Sequence, residues 1–227
     1  MNTRYALKGV YRGKVAQNFG VETAIVKHPV REALYLDVEG LAGDECADKR
    51  HHGGPERALH QYPLEHYEFW RQRYPDNTDW MAPGMGENLS SEGMLETNVC
   101  IGDRYRWGEA IIEVSQPRSP CFKLNRRWQV EEFSRHMQDI SRCGWLYRVI
   151  QPGLVGPEHP LILVDRLDNA MTIALVCELY FGTPLDTDGL KLLRQQKALS
   201  ESWMSKVIQR LDTGEVENWN FRLFGHP

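Results

Sequence analysis

The chain has 227 residues, 41% of them apolar and 26% charged, with a net charge of −4. These values suit a soluble globular protein of one large domain, or one domain with a small appendage. The acidic balance argues against general binding to nucleic-acid backbones, which needs a basic face.

The five cysteines (46, 100, 121, 143 and 177) are widely spaced and form no C-x-x-C, a pattern that fits a reducing cytoplasm and not a disulfide framework. Met1 to Lys8 has no apolar core, so no signal peptide is expected. No stretch approaches the ~18 apolar residues of a membrane span.

Short strands are predicted over Leu7–Tyr11, Ala24–Lys27 and Ala33–Val38, with a tight turn at Gly40-Leu41-Ala42-Gly43-Asp44. Asp44 there suits backbone N–H bonding. A polar, glycine-rich loop follows, with Lys49, Arg50, His51, His52, Gly53, Gly54 and Arg57. It can wrap an anion through backbone N–H groups and cations, or simply face water.

Pro63 is expected to open a helix running to Tyr74, with Leu64, Tyr67, Trp70 and Tyr74 on its core face. Gly84 to Leu89 reads as a loop that lacks the third glycine of a dinucleotide fingerprint. Its Glu87 and Asn88 suit ligand bonds or turn chemistry.

Strands are then predicted over Val99–Ile101, Arg104–Trp107 and Ala110–Ser115, with Cys100 in the core. An amphipathic helix carries Val130, Phe133, Met137 and Ile140. Strands return over Gly144–Ile150 and Leu161–Val164. Beyond residue 168 the pattern is helical: Ile173, Val176, Cys177 and Tyr180 share one face. Leu190 and Leu193 mark a second helix, and Ser200 caps a third bearing Trp203, Val207 and Leu211. These helices read as an appendage that must dock on the strands, with Trp203 and Trp219 as packing residues.

Cys121 draws attention. It follows the Ala110–Ser115 strand, within Gln116-Pro117-Arg118-Ser119-Pro120-Cys121-Phe122-Lys123-Leu124. Two prolines are expected to end the ladder and stiffen the loop. Arg118 and Lys123 are cations that favour the thiolate of a cysteine whose free pKa is about 8.5. The competing reading is a small buried hydrophobe.

Gly40-Leu-Ala-Gly-Asp44, His52-Gly53-Gly54, Gly86-Glu87-Asn88-Leu89, Gly102-Asp103 and Pro117 to Leu124, in that order, resemble the MOSC domain, named after the C-terminal domain of molybdenum-cofactor sulfurase. The helical tail with Ser200-Glu201-Ser202-Trp203 resembles the YiiM group, which joins that domain to three helices. The resemblance implies an α+β fold: a β-rich MOSC barrel with flanking helices over 1–166, and a small C-terminal three-helix domain over 167–227.

It also implies the molybdenum cofactor (Mo-molybdopterin), with Cys121 as catalytic residue and metal ligand, and no dependence on pyridoxal phosphate. The implied activity is a cytoplasmic reductase of N-hydroxylated small molecules, chiefly purine bases such as 6-N-hydroxylaminopurine. Reducing N–OH takes two electrons that no ordinary side chain supplies, so a separate electron-donor reductase is implied. A homodimer is open; neither nucleic acid nor membrane is expected as a partner.

Arg118, Lys123, Lys49 and Arg57 are candidates to neutralise the pterin phosphate. His52, Asn88 and Glu87 are candidates for the pterin edge, Gly53 and Gly54 for the cradle, and Asp44 to hold the loops. His51 reads as a neighbour. Two alternatives remain: a sulfur-carrier or cofactor-delivery protein using a persulfide on Cys121, and a zinc site of Cys46, His51, His52 and Cys121, whose spacing matches no zinc pattern.

Overall fold

A computed structural model describes residues 3–48 and 53–226. The strands of the first half are β1 (Arg4–Tyr5), β2 (Leu7–Arg12), β3 (Ala16–Asn18), β4 (Val21–Thr23), β5 (His28–Pro29), β6 (Leu34–Asp37), β7 (Gly40–Leu41), β8 (Leu59–Pro63) and β9 (Leu89–Ser91), with helix α1 (Glu65–Arg73) between the last two. Then come β10 (Arg104–Trp107), β11 (Ala110–Pro117), α2 (Lys123–Trp128), α3 (Phe133–Asp139), β12 (Trp145–Gln151), β13 (Gly153–Val155) and β14 (Leu161–Asp165). The chain continues through α4 (Ile173–Cys177), a π turn, α5 (Thr187–Arg194), α6 (Glu201–Thr213) and α7 (Asn220–Phe224).

The molecule is α+β. Nine strands pair in the order β1-β14-β10-β11-β12-β8-β9-β2-β5, beside the small sheets β13-β6-β7 and β3-β4. The barrel expected from the sequence is not closed by pairing among the described residues: β1 and β5 are edges. Pairing is antiparallel except for β8 with β9. At the centre β11 carries Ala110, Ile112 and Val114, all fully buried, with one face covered by the C-terminal helices. The β-branched Ile112 and Val114 suit such a buried strand.

Several expectations change. Ala24–Lys27 is not a strand, and Val99–Ile101 contributes one isolated bridge, Cys100 with Thr172. Pro63 ends β8 instead of opening α1. β11 runs on through Pro117, which sits opposite Trp145 at the end of the ladder, where a missing N–H costs little. A register shift between Val114 and Gln116 precedes it. Helix α2 and strand β8 were not foreseen.

The helices beyond residue 168 share one core with the sheet. Ile173, Val176, Leu193, Trp203 and Val207 cluster with Leu36, Ile112, Val114, Trp145 and Tyr147. Ser200 caps α6 by accepting the Trp203 N–H, and its own N–H donates to the Ser115 carbonyl (2.9 Å). Trp203 stacks on Tyr180 at 3.9 Å. A second, aromatic core holds Tyr62, Tyr67, Trp70, Trp80, Trp128 and Phe133 under α1, α2 and α3. Among the described residues no helix is long and apolar enough to cross a membrane.

Candidate functional site

The link between β11 and α2 is pinned from two sides. The Arg118 N–H donates to the Gly144 carbonyl at 3.1 Å, tying the link to the start of β12. The Pro120 carbonyl accepts Arg222 Nη1 at 2.7 Å, and the Phe122 N–H donates to the Arg222 carbonyl at 2.8 Å. Cys121 lies between these two anchors, 5% exposed. The five cysteines are unbridged.

Beside the link runs β8, in which every residue is buried. Its His60 donates its backbone N–H to Asn88 Oδ1 (3.1 Å), while its ring Nε2 is buried with no hydrogen-bond partner. Burial first, then the Arg118 charge and more weakly that of Lys27, hold this imidazole well below its ordinary pKa, so it is neutral at pH 7. The Cys143 and Gly86 carbonyls pull the other way, but neither gives Nε2 a bond of acceptable geometry.

Arg118 Nη1 is likewise buried and unpartnered. The Arg118 charge acts on His60, and Gly144, to which the Arg118 backbone bonds, lies close to that ring: a Cβ built on Gly144 would stand 3.2 Å from His60 Nε2. Gly144 also has φ of 68°, a conformation glycine adopts without strain. Each unpaired buried polar group costs about 1–3 kcal/mol. His60 Nε2 and Arg118 Nη1 are two such groups.

Behind His60 lies a buried ion pair. Asp44 Oδ1 takes Lys27 Nζ and the Gly13 N–H, while Oδ2 takes Asn88 Nδ2 at 2.8 Å. The Lys27 and Asp44 side chains are 6% and 13% exposed. Glu87 is fully buried and accepts from the Tyr67 hydroxyl (2.6 Å) and the Met85 N–H (3.0 Å). Burial pushes its carboxyl up. Asp44, Glu87 and Asn88 thus direct their bonds into the protein and brace the loops around His60.

The remaining candidates are dispersed. Lys123 turns away from Cys121 and donates to the Glu22 carbonyl (3.0 Å). With Arg127, which donates to the Ile25 carbonyl and lies over Phe19, it ties α2 to the β3–β4 hairpin. Arg57 donates to Ser202 Oγ (2.9 Å) at the start of α6. Gly54 has φ of 92° with open space where a Cβ would be, and Gly53 is half-buried. Lys49, Arg50, His51 and His52 lie outside the described residues, and with them two of the four residues of the zinc reading. Among the described residues no three His, Cys, Asp or Glu side chains are grouped to hold a metal ion. Cavities of about 620 and 600 Å³ lie elsewhere, one lined by Glu56, Arg148 and Lys197, the other by Arg12, Lys14 and His28. Neither is lined by Cys121, His60 or Arg118.

The MOSC domain pattern matches residues 48–161, and the pattern of the YiiM-like, 3-alpha helix domain matches residues 171–214. Protein YiiM of Escherichia coli (strain K12) is 43% identical over 218 residues, 95% of this chain and 97% of that protein. The chain belongs to the MOSC family. The crystal structure of YiiM from Escherichia coli superposes with a TM-score of 0.86 at 38% identity, covering 98% of this chain and 100% of that one. A protein of Gibberella moniliformis (strain M3125 / FGSC 7600) named Reductase is 38% identical over 148 residues, which are 64% of this chain and 26% of that longer protein.

In this MOSC protein three residues packed around the Cys121 link and His60 escaped the sequence reading: His60, Lys27 and Arg222. His60 sits in a strand whose His-Gln pair breaks the apolar pattern. Lys27 lies in a stretch read as an ordinary strand. Arg222 is about a hundred residues from Cys121, and no local pattern connects them.

Proposed function

We propose that this chain is a molybdenum-cofactor-dependent reductase of N-hydroxylated compounds, chiefly purine bases such as 6-N-hydroxylaminopurine, acting in the cytoplasm to detoxify base analogues. Residues 1–166 are read as the cofactor-binding part and 167–227 as the helical part. Three things support the reading: the family's association with this cofactor, the relative named Reductase, and the site chemistry. The observation that carries it is the pair of unpartnered buried atoms, Arg118 Nη1 and His60 Nε2, beside the pinned link of Cys121.

The donor set fits the cofactor. A thiolate from Cys121 suits a soft, sulfur-held metal. Arg118 offers a guanidinium N–H, the natural donor to a phosphate oxygen. His60, neutral at pH 7, offers one ring nitrogen to a polar heterocycle edge. When bound, the cofactor supplies the two electrons that side chains cannot.

The chain's own part is placement and shelter. β8 presents His60 from a rigid strand, and Arg118 follows directly on the end of β11. Cys121 is held at 5% exposure, which keeps water from the reacting region. The overall change is R–NHOH + 2 H⁺ + 2 e⁻ → R–NH₂ + H₂O, with electrons delivered by a separate reductase.

The test is turnover of 6-N-hydroxylaminopurine by protein from cells that make the cofactor, with a reduced viologen dye as electron source. One adenine per two electrons is the expected yield. Protein loaded with molybdenum that forms no adenine would overturn the reading.

A further inference from the structure

The two matched family segments end at residues 161 and 214, and residues 215–226 belong to neither. Yet this last piece holds the Cys121 link. Its near end is anchored on the helical part. The Glu217 carboxylate accepts from Arg210 Nε (3.0 Å) and Nη2 (2.8 Å), from Trp219 Nε1 (2.9 Å) and from the Tyr180 hydroxyl (3.1 Å). Arg210 is 1% exposed, lies over the Tyr180 ring and donates Nη1 to the Tyr180 carbonyl. Burial works against the Glu217 charge, but the bonds from Arg210 and Trp219 outweigh it and hold the carboxyl at about 2. The anchor is therefore closed at every physiological pH.

The far end is α7, whose Arg222 grips both neighbours of Cys121. Its side chain takes the Pro120 carbonyl and its own carbonyl takes the Phe122 N–H. Arg222 Nη2 also donates to Gln138 Oε1 (2.7 Å) on α3. The Leu223 carbonyl accepts Asn125 Nδ2 (2.9 Å) and Ser134 Oγ (2.8 Å). Gly225 passes so close to Phe122 that a Cβ there would stand 2.9 Å from the ring.

We propose that residues 215–226 are a strap that seats Cys121, with Arg222 as its positioning residue and Glu217 as its anchor on the helical part. The strap gives the C-terminal helices a task in the site: they carry the far end of the clamp on the reactive loop. A displacement of about 1 Å at a reacting group can cost on the order of 100-fold in rate, so a two-sided grip on one residue has a chemical use. The assignment of a task to Cys121 rests on the reading above; the geometry of the strap does not.

The test uses full-length protein from cells unable to make the cofactor, so the fate of the reductase reading does not affect it. Alkylation by iodoacetamide is followed at each cysteine by peptide mass spectrometry. Arg222→Ala is expected to raise the rate at Cys121 about tenfold or more relative to half-buried Cys46, by local opening of the link. Arg222→Lys, which still reaches the Pro120 carbonyl, is expected to restore most of the protection. Glu217→Gln, remote from the sulfur, should give a smaller rise confined to Cys121, and it decides the matter if Arg222→Ala does not fold. A Cys121 rate within about twofold of the parent in both Arg222→Ala and Glu217→Gln would overturn the strap. Equal acceleration at Cys100, Cys143 and Cys177 would also overturn it, because it would mean general loosening.

Discussion

Cys121→Ser is expected to lower turnover of an N-hydroxylated base by about 100-fold or more, with little change in melting temperature. Loss of a group that merely orients a metal ligand costs 10- to 100-fold, so loss of the ligand itself sets that range as a floor. Serine offers a hard oxygen that stays protonated at neutral pH, a poor match for a soft, sulfur-held metal. It is nearly the size of cysteine and fits a site 5% exposed without a cavity. Activity and stability therefore separate. Steady-state kinetics beside a thermal melt would show this, and retained turnover with metal still bound would remove Cys121 from its role.

Asp44→Ala is expected to lower unfolding stability by about 3–5 kcal/mol, the cost of breaking a buried ion pair from one side. The change strands Lys27, whose side chain is 6% exposed, leaves the Gly13 N–H without its acceptor, and leaves Asn88 Nδ2 only the Tyr11 carbonyl. Asn88 in turn holds the backbone of His60, so the damage reaches the site. Lys27→Met in the same chain should recover much of the loss, since the stranded charge is then gone. Urea unfolding of the single and double variants measures both effects. A loss under about 1 kcal/mol for Asp44→Ala would mean that the pair is screened by water, as exposed pairs are.

These two residues show what could be read from the sequence. Cys121 stood out because its signals are local: a strand and two prolines within a few positions. The same holds for β10, β12 and β14, for the Ser200 cap of α6, and for the core face of α1 with Tyr67 and Trp70. Asp44 was legible as a turn residue, but its bond to Lys27 spans two segments with no shared pattern. The cations flanking Cys121 were assigned from proximity in sequence, and the fold separates them. Lys123 turns to the Glu22 carbonyl, while Arg222 arrives from the far end of the chain. Strand β8 was lost because His60 and Gln61 are polar yet buried. Gln61 bonds Ser91 and the Tyr147 hydroxyl, and His60 keeps an unpaired nitrogen. The apolar run Val99–Ile101 misled in the opposite sense, being buried in a loop bridged to Thr172. Periodicity reports burial on one face; it does not report which distant polar groups meet.

The central claim is that Cys121, Arg118 and His60 receive the molybdenum cofactor. Its most direct test is the molybdenum and pterin content of protein purified from cells that make the cofactor, measured beside Cys121→Ser. The account predicts about one molybdenum and one pterin per chain in the parent, and loss of the molybdenum in the variant. Folded parent protein carrying neither molybdenum nor pterin would contradict it.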